Sequence, residues 1–100
     1  MWYAIIAKDH PDTLARRQLA RPAHMARLLE LQEAGSLFVA GAFPAIESED
    51  PGPAGFTGSM ILAQFPSMAE ARAWADADPY VAAGVYADVQ IKPFRKALPA

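Results

Sequence analysis

Residues 1–7 read MWYAIIA, an unbroken apolar run rich in strand-forming residues. A strand without a polar side is typical of a sheet that is covered on both faces. Its alternate side chains form two apolar rows, with Trp2, Ala4 and Ile6 on one side and Tyr3, Ile5 and Ala7 on the other. A small domain can cover one face of its sheet with its own helices, so we expect a second copy to cover the other. The run therefore predicts a homodimer that associates through the open face of the sheet.

Downstream of this strand the pattern becomes helical and then returns to strands. Residues 12–34 have helical periodicity, but Pro22 predicts a break, with a short helix before it and a longer helix that starts there. Two further apolar strands are predicted at 37–43 and 59–65. The segment 44–57 between them is a long loop, of a kind that often forms a functional lid.

A second helix and a fourth strand complete the chain. Ser67 and Glu70 form a capping-box pattern that opens the helix, and the last strand spans 85–94. The order βαββαβ with right-handed crossovers predicts an α+β, ferredoxin-like sandwich: a four-stranded antiparallel sheet with helices on one face. We expect a single domain over residues 1–96 and a short C-terminal tail over 97–100.

The composition restricts the classes of function. The chain has 100 residues, of which 53% are hydrophobic and 20% charged, as in a folded globular domain. A formal charge of −2 argues against nucleic acid as a partner, because phosphate binding needs a basic face. The absence of cysteine excludes a thiol nucleophile and a cysteine-based zinc site. No apolar run has the length of a membrane span and the N-terminus lacks a signal-peptide pattern, so we expect a cytoplasmic protein that does not enter a membrane.

The candidate chemistry centres on His24, one of two histidines in the chain. Arg17, Arg21 and His24 share one helical stripe if the break at Pro22 is slight. A helix that starts at Pro22 places Arg21 at the cap position, where a cation is unfavourable, and such violations of local rules occur most often at functional sites. The positive end of that helix would also disfavour protonation of His24 and keep it available as a base. The alternative is a half-buried histidine beside two solvated arginines.

Asp78 has two interpretations. As the residue before Pro79 it is suited to cap a short turn, and it then needs no other role. A carboxylate aimed at a histidine would instead fix the imidazole tautomer and stabilise the imidazolium, as general-base catalysis requires. On the residues alone the cap is the simpler interpretation.

The three tyrosines are most simply explained as core or interface aromatics; they are Tyr3, Tyr80 and Tyr86.

The long loop and its borders supply further candidates for ligand contact. Phe56 would form an apolar plug in a lid, and Ser59 at the start of a strand could donate a hydrogen bond to a ligand. Gly41 inside a strand indicates a bulge or a close approach of the backbone to a ligand. The polar segment 9–12 after the first strand is better explained as a plain loop than as a metal site. We therefore expect no metal and no cofactor.

Four motifs together resemble the YciI-like protein family over residues 1–96. They are Arg17-x-x-x-Arg21-Pro22-Ala23-His24, the run 50–59 (DPGPAGFTGS), the run 74–86 (WADADPYVAAGVY) and Lys92-Pro93-Phe94. The resemblance implies a dimeric α/β barrel with a pocket that holds a His-Asp dyad, here His24 and Asp78. Around that dyad we expect substrate contacts from Arg17, Arg21, Gly41, Phe56, Ser59, Pro79 and Tyr80. The chain departs from the family at Ala42, where relatives commonly have proline, and this departure leaves the dyad untouched.

The expected function is acid–base catalysis, without a cofactor, on a small anionic cyclic or aromatic molecule by elimination, isomerisation or lactone chemistry. His24 would move the proton, Asp78 would orient the imidazole, and Arg17 or Arg21 would hold a carboxylate or enolate oxygen. One relative within the resembled family is a dehydrochlorinase of chloroaromatic degradation, and similar barrels include muconolactone isomerases; both are analogies of site type. Two alternatives stay open: a module that binds or senses a small metabolite without turnover, and an interaction module whose sheet face serves assembly.

Overall fold

The computed structural model describes residues 1–100 and has the predicted order of elements, with one short helix added. Its elements are the strands β1 (Trp2–Asp9), β2 (Leu37–Pro44), β3 (Phe56–Gln64) and β4 (Tyr86–Phe94), and the helices α1 (Leu14–Glu33), α2 (Met68–Asp76) and α3 (Pro79–Ala82). One turn of 3-10 helix, Gly52–Ala54, lies between β2 and β3. None of the helices combines the length and the apolar character needed to cross a membrane.

The four strands form one antiparallel sheet in the order β2-β3-β1-β4, which confirms the ferredoxin-like topology. Tyr3, Ile5 and Ala7 of β1 are buried on the face that the helices cover. Ile5 belongs to the same core cluster as Leu28 of α1 and Ala71 of α2, so this row joins both long helices to the centre of the sheet. Burial of these apolar side chains is the main source of stability in a domain of this size.

The opposite face of the sheet is also apolar. It includes Trp2 and Ile6, and Trp2 packs edge-to-face on Phe38 of β2 with ring centres 5.6 Å apart. Phe38, Val39 and Phe43 keep 38%, 43% and 41% of their surface exposed. The two apolar rows of β1 therefore have different surroundings. The row with Ile5 belongs to the core of the domain, and the row with Ile6 lies on the face that no helix covers.

Helix α1 is continuous, so the break predicted at Pro22 is wrong. Pro22 has no N–H, and its place inside the helix leaves the Gln18 carbonyl without its usual partner four residues on. Both residues are exposed, so water can hydrate that carbonyl and the helix continues. Arg21 and His24 consequently lie in the middle of α1, and neither the predicted cap position of Arg21 nor the predicted effect of a helix terminus on His24 is correct.

The other elements begin and end as their local sequence dictates. Ser67 Oγ accepts a hydrogen bond from the Glu70 N–H at 3.2 Å and caps α2, as predicted. Asp78 caps α3, a single helical turn that begins with Pro79 and was predicted only as a turn. Strand β4 lies at an edge of the sheet, where Pro93 costs no hydrogen bond to a second neighbour.

Gly58 lies in β3 at a point where no side chain can be accommodated. A Cβ atom there would overlap the Ala7 carbonyl oxygen and lie 3.3 Å from Cδ2 of Phe43. Since the backbone of β1 cannot move without disturbing the sheet, Gly58→Ala should lower the free energy of unfolding by about 1–3 kcal/mol. Denaturant unfolding measures this loss. Gly41→Ala is the matched control, because nothing lies within 4 Å of a Cβ at that position, and equal losses in the two variants would contradict the close approach at Gly58.

Candidate functional site

His24 of α1 and Asp78 at the start of α3 form a buried pair. His24 Nδ1 lies 2.9 Å from each oxygen of the Asp78 carboxylate. An ionised carboxylate only accepts hydrogen bonds, so we assign the imidazole proton to Nδ1. Nε2 is then the ring nitrogen with a free lone pair, and no protein group hydrogen-bonds to it. This is the geometry of a histidine base held by an orienting carboxylate.

Asp78 is both a helix cap and the partner of His24, so the two interpretations of this residue are compatible. Its Oδ1 accepts the Tyr80 N–H at 2.9 Å while lying 2.9 Å from His24 Nδ1. Tyr80 also stacks on the imidazole, with ring centres 3.9 Å apart and planes 10° from parallel. Burial raises the pKa of the Tyr80 hydroxyl, and the charges of Arg17 and Arg21 oppose that rise. The start of α3 therefore orients His24 through a carboxylate and an aromatic face.

Arg17 is held in a buried network of hydrogen bonds. Its Nε donates to Asp9 Oδ2 at 2.6 Å, and its Nη2 donates to Asp9 Oδ1 at 3.1 Å. Nη2 also donates to the Gly58 carbonyl and to Ser59 Oγ, each at 2.9 Å. The guanidinium carbon lies 5.0 Å from the ring centre of Tyr80. The charge of Arg17 is thus neutralised by Asp9, and its contacts position Ser59 and Tyr80.

Arg21 is the cation of the site that forms no salt bridge. It lies one helical turn beyond Arg17, is exposed, and takes part in none of the ion pairs of the chain. It borders both cavities next to the His24–Asp78 pair. Of the two arginines, Arg21 is the one with a full charge available to an anionic ligand.

Two adjoining cavities lie between α1 and the sheet. The first has a volume of about 370 Å³ and is lined by His24 and Ser59 and otherwise mostly by apolar side chains. The second, of about 450 Å³, extends towards the loop after β2 and is lined by Phe56 and Glu49. Arg21 borders both. An apolar cavity of this size with a few polar groups at one end is typical of a small-molecule site.

The loop between β2 and β3 is shorter than the predicted 44–57, because both strands extend into it and leave only residues 45–55 outside them. Phe56 is the first residue of β3, and its ring centre lies 5.3 Å from the Arg17 guanidinium carbon. It lines the second cavity and not the one that contains His24. The role of the loop as a lid stays a prediction.

Gly41 and Pro79 differ from expectation. Gly41 lines the first cavity but pairs regularly with Met60, so the bulge predicted there is wrong; the register shifts lie at the two ends of β2. Nothing lies within 4 Å of a Cβ at Gly41, which leaves space for a ligand beside it. Pro79 begins α3 and lines neither cavity, so its observed contribution is to start the helix that carries Tyr80.

Two residues of the site were not singled out from the sequence. Asp9, treated there as part of a polar loop, is the buried partner of Arg17. An acid two residues after the apolar run 1–7, followed by a stripe of cations on a helix, was the available signal for that pair. Tyr86 has a buried hydroxyl group without a hydrogen-bond partner. No local signal distinguishes Tyr86 from a core tyrosine, because its position depends on the pairing of β4 with β1.

The sequence matches a known family over nearly its whole length. Residues 1–95 match the family model of the YCII-related domain. The chain is 57% identical over 96 residues to Protein YciI of Escherichia coli O6:H1 and of Shigella flexneri, with 96% of this chain and 98% of each relative covered. It is 53% identical, with the same coverage, to an uncharacterized protein of Haemophilus influenzae.

A similar solved structure is that of 5-chloro-2-hydroxyhydroquinone dehydrochlorinase from Burkholderia phenoliruptrix AC1100 in complex with 2,5-dihydroxybenzoquinone. The TM-score is 0.85 at 25% sequence identity, and the match covers 97% of this chain and 96% of that chain. The two proteins therefore share their fold from end to end.

Proposed function

The chain belongs to the family of YCII-related domains, and we propose that it is an acid–base enzyme that acts, without a cofactor, on a small anionic cyclic or aromatic metabolite. The observation that carries this proposal is the buried His24–Asp78 pair, because one imidazole nitrogen is bound by the carboxylate and the other has no protein partner beside an apolar cavity. A histidine that served only the core would have no need of an open ring nitrogen at a cavity wall.

In this proposal His24 Nε2 removes a proton from the ligand. Asp78 accepts from Nδ1–H throughout and stabilises the imidazolium that forms. In an elimination, the electron pair of the broken C–H bond becomes a double bond while the leaving group departs with its own pair. In an isomerisation, His24 returns the proton to a different atom of the same molecule. One base on an orienting carboxylate supports both outcomes.

The charges around the cavity support an anionic ligand. Arg21 would hold a carboxylate or enolate oxygen, since its charge has no partner in the protein. Ser59 would donate a hydrogen bond from the cavity wall, and Arg17 would hold Ser59 in place. A volume of about 370 Å³ suits a ligand with one ring.

The name and ligand of the structural neighbour support the same substrate class. That protein is a dehydrochlorinase, and a dehydrochlorination is an elimination. Its bound molecule, 2,5-dihydroxybenzoquinone, is a small hydroxylated ring. We therefore propose hydroxylated quinones and chlorinated hydroxyhydroquinones as the first compounds to test for binding and turnover.

Asp78→Asn tests the proposed mechanism. The asparagine carbonyl can still accept the Tyr80 N–H, but its amide group would donate to His24 Nδ1 and move the ring proton to Nε2. The lone pair that faces the cavity is then lost, and turnover should fall about 100- to 1,000-fold. Nitrogen NMR of the imidazole reports the tautomer, and mass spectrometry of the products reports turnover.

Asp76→Asn is the matched control, because Asp76 is an exposed acid two residues away that does not contact His24. It should leave both the tautomer and the rate unchanged. If Asp78→Asn keeps the parent rate, the dyad mechanism is wrong. A ligand that binds tightly and is always recovered intact would favour a binding or sensing module instead.

We also propose that the protein is a homodimer that associates through the open face of the sheet. The support is the set of exposed apolar side chains on β2 and the apolar row of β1 that includes Trp2 and Ile6. Association would remove these side chains from water.

Ile6→Glu tests this dimer, because it places a charge in the middle of the proposed interface. The parent should sediment at twice the 10.8 kDa chain mass and the variant at the mass of one chain. Leu19→Glu is the matched control, since Leu19 is 86% exposed on α1, away from the sheet. A monomeric parent, or a variant that stays dimeric, would contradict the proposal.

A further inference from the structure

Tyr86 is a buried tyrosine beside the candidate site that the proposed function does not use. It pairs with Asp9 across β1 and β4, and its ring belongs to a cluster with Ala7 and Tyr80. The ring meets Tyr80 edge-to-face, with centres 5.4 Å apart. Only 8% of Tyr86 is exposed, and its hydroxyl group has no hydrogen-bond partner in the protein. A phenylalanine would fill the same space without burying an unpaired polar group.

A buried hydroxyl without a partner is destabilising, so its retention calls for an explanation. Burial raises the pKa of the Tyr86 hydroxyl, and the approach of the Ser59 side chain, short of a well-formed hydrogen bond, opposes this rise. The phenol is therefore protonated at physiological pH and can donate a hydrogen bond. A candidate acceptor is the hydroxyl of Ser59, which pairs with Ala7 on the opposite side of β1.

Ser59 is a hydroxyl whose orientation depends on its neighbours. A hydroxyl group has one proton and two acceptor lone pairs. One lone pair of Ser59 Oγ accepts from Arg17 Nη2 at 2.9 Å. If the second accepts from Tyr86, both lone pairs are occupied and the proton of Ser59 is available to a ligand in the cavity that Ser59 lines.

We propose that Tyr86 is a positioning residue that donates to Ser59 Oγ when a ligand is bound, so that Ser59 donates to an anionic oxygen of that ligand. In that complex Arg17 and Tyr86 together would set the direction of the Ser59 proton. The ligand class is that of the proposed function, and within it the inference selects molecules with an enolate or phenolate oxygen.

A double-mutant cycle with 2,5-dihydroxybenzoquinone as the probe tests the proposal. The dissociation constant is measured through the visible absorption of the quinone for the parent, Ser59→Ala, Tyr86→Phe and the double variant. Ser59→Ala should weaken binding about tenfold or more, since a hydrogen bond to a charged oxygen is lost. Tyr86→Phe should weaken it about three- to tenfold, and the double variant should bind no more weakly than Ser59→Ala alone.

The coupling between the Ser59 and Tyr86 substitutions distinguishes a positioning role of Tyr86 from a structural one. If Tyr86 only supported the fold, its effect would add to that of Ser59→Ala, and the proposal would be overturned. It would also be overturned if Tyr86→Phe bound as tightly as the parent, or if the parent did not bind the quinone. Without ligand, Tyr86→Phe should be at least as stable as the parent because it removes an unpaired buried hydroxyl.

Tyr3→Phe is the matched control, since Tyr3 is a buried tyrosine that lines neither cavity, and it should not change the affinity. The cycle measures binding and not turnover, so its result is independent of the tests on His24 and Asp78. An uncoupled cycle beside a His24-dependent reaction would reject the role of Tyr86 and keep the enzyme. A coupled cycle without turnover would keep the role of Tyr86 in a binding module.

Discussion

Replacing His24 by glutamine should lower turnover about 1,000- to 10,000-fold, with little change in ligand affinity. A glutamine amide can still hydrogen-bond to Asp78 and fills part of the space of the ring, but it cannot take up a proton at neutral pH. The residues that would hold the ligand, Arg21 and Ser59, are left in place. Initial rates and dissociation constants for the same quinone or hydroquinone separate the two effects.

His10→Gln is the control for this variant, because His10 is the other histidine of the chain and is exposed after β1. It should turn over substrate at the parent rate. A His24→Gln protein that remained active would reject His24 as the base. Similar losses in both variants would indicate that the reaction takes place elsewhere.

Replacing Arg17 by methionine should lower the free energy of unfolding by about 3–5 kcal/mol. The Asp9 carboxylate keeps 1% of its surface exposed and would lose the guanidinium that neutralises it, and the Gly58 carbonyl and Ser59 hydroxyl would lose a donor. An uncompensated charge in such surroundings is more costly than the loss of the pair itself. Denaturant unfolding at neutral pH measures the change.

Two further variants test whether the loss of stability comes from the unpaired Asp9 carboxylate. Arg21→Met removes the same charge from an exposed position of the same helix and should change stability by less than about 0.5 kcal/mol. Combining Asp9→Leu with Arg17→Met removes both charges and should recover a large part of the loss. An Arg17→Met protein as stable as the Arg21→Met protein would contradict the structural role of Arg17.

The two arginines show how position decides the role of a residue type. Arg17 and Arg21 lie four residues apart on α1, and on the sequence either was a candidate for the anion-binding group. Arg17 points at the end of β1 and contacts Asp9, whereas Arg21 lies one turn further along the helix and forms no salt bridge. Although both arginines lie on the same stripe of α1, Arg17 has a structural role in an ion pair and Arg21 forms no ion pair.

The fold followed from local sequence because each element carries its own signal. The apolar strands, the Ser67 cap and the right-handed crossover rule predicted the order and topology of the sheet. The helix break predicted at Pro22 was wrong, because the rule that proline ends a helix assumes that the carbonyl it leaves unpaired cannot be hydrated. At an exposed position it can be, so α1 continues and carries Arg17 and His24 on one side.

The sequence by itself determined the βαββαβ order, the double-sided apolar strand β1 and the set of residue types available for chemistry. Only the tertiary structure decided which row of β1 enters the core, that Asp78 is cap and partner of His24 at once, and that Asp9 neutralises Arg17. The physical reason is the separation in sequence over which each interaction acts. Strand and cap signals act over a few residues, whereas these contacts join residues far apart in the chain and depend on how helices and strands pack.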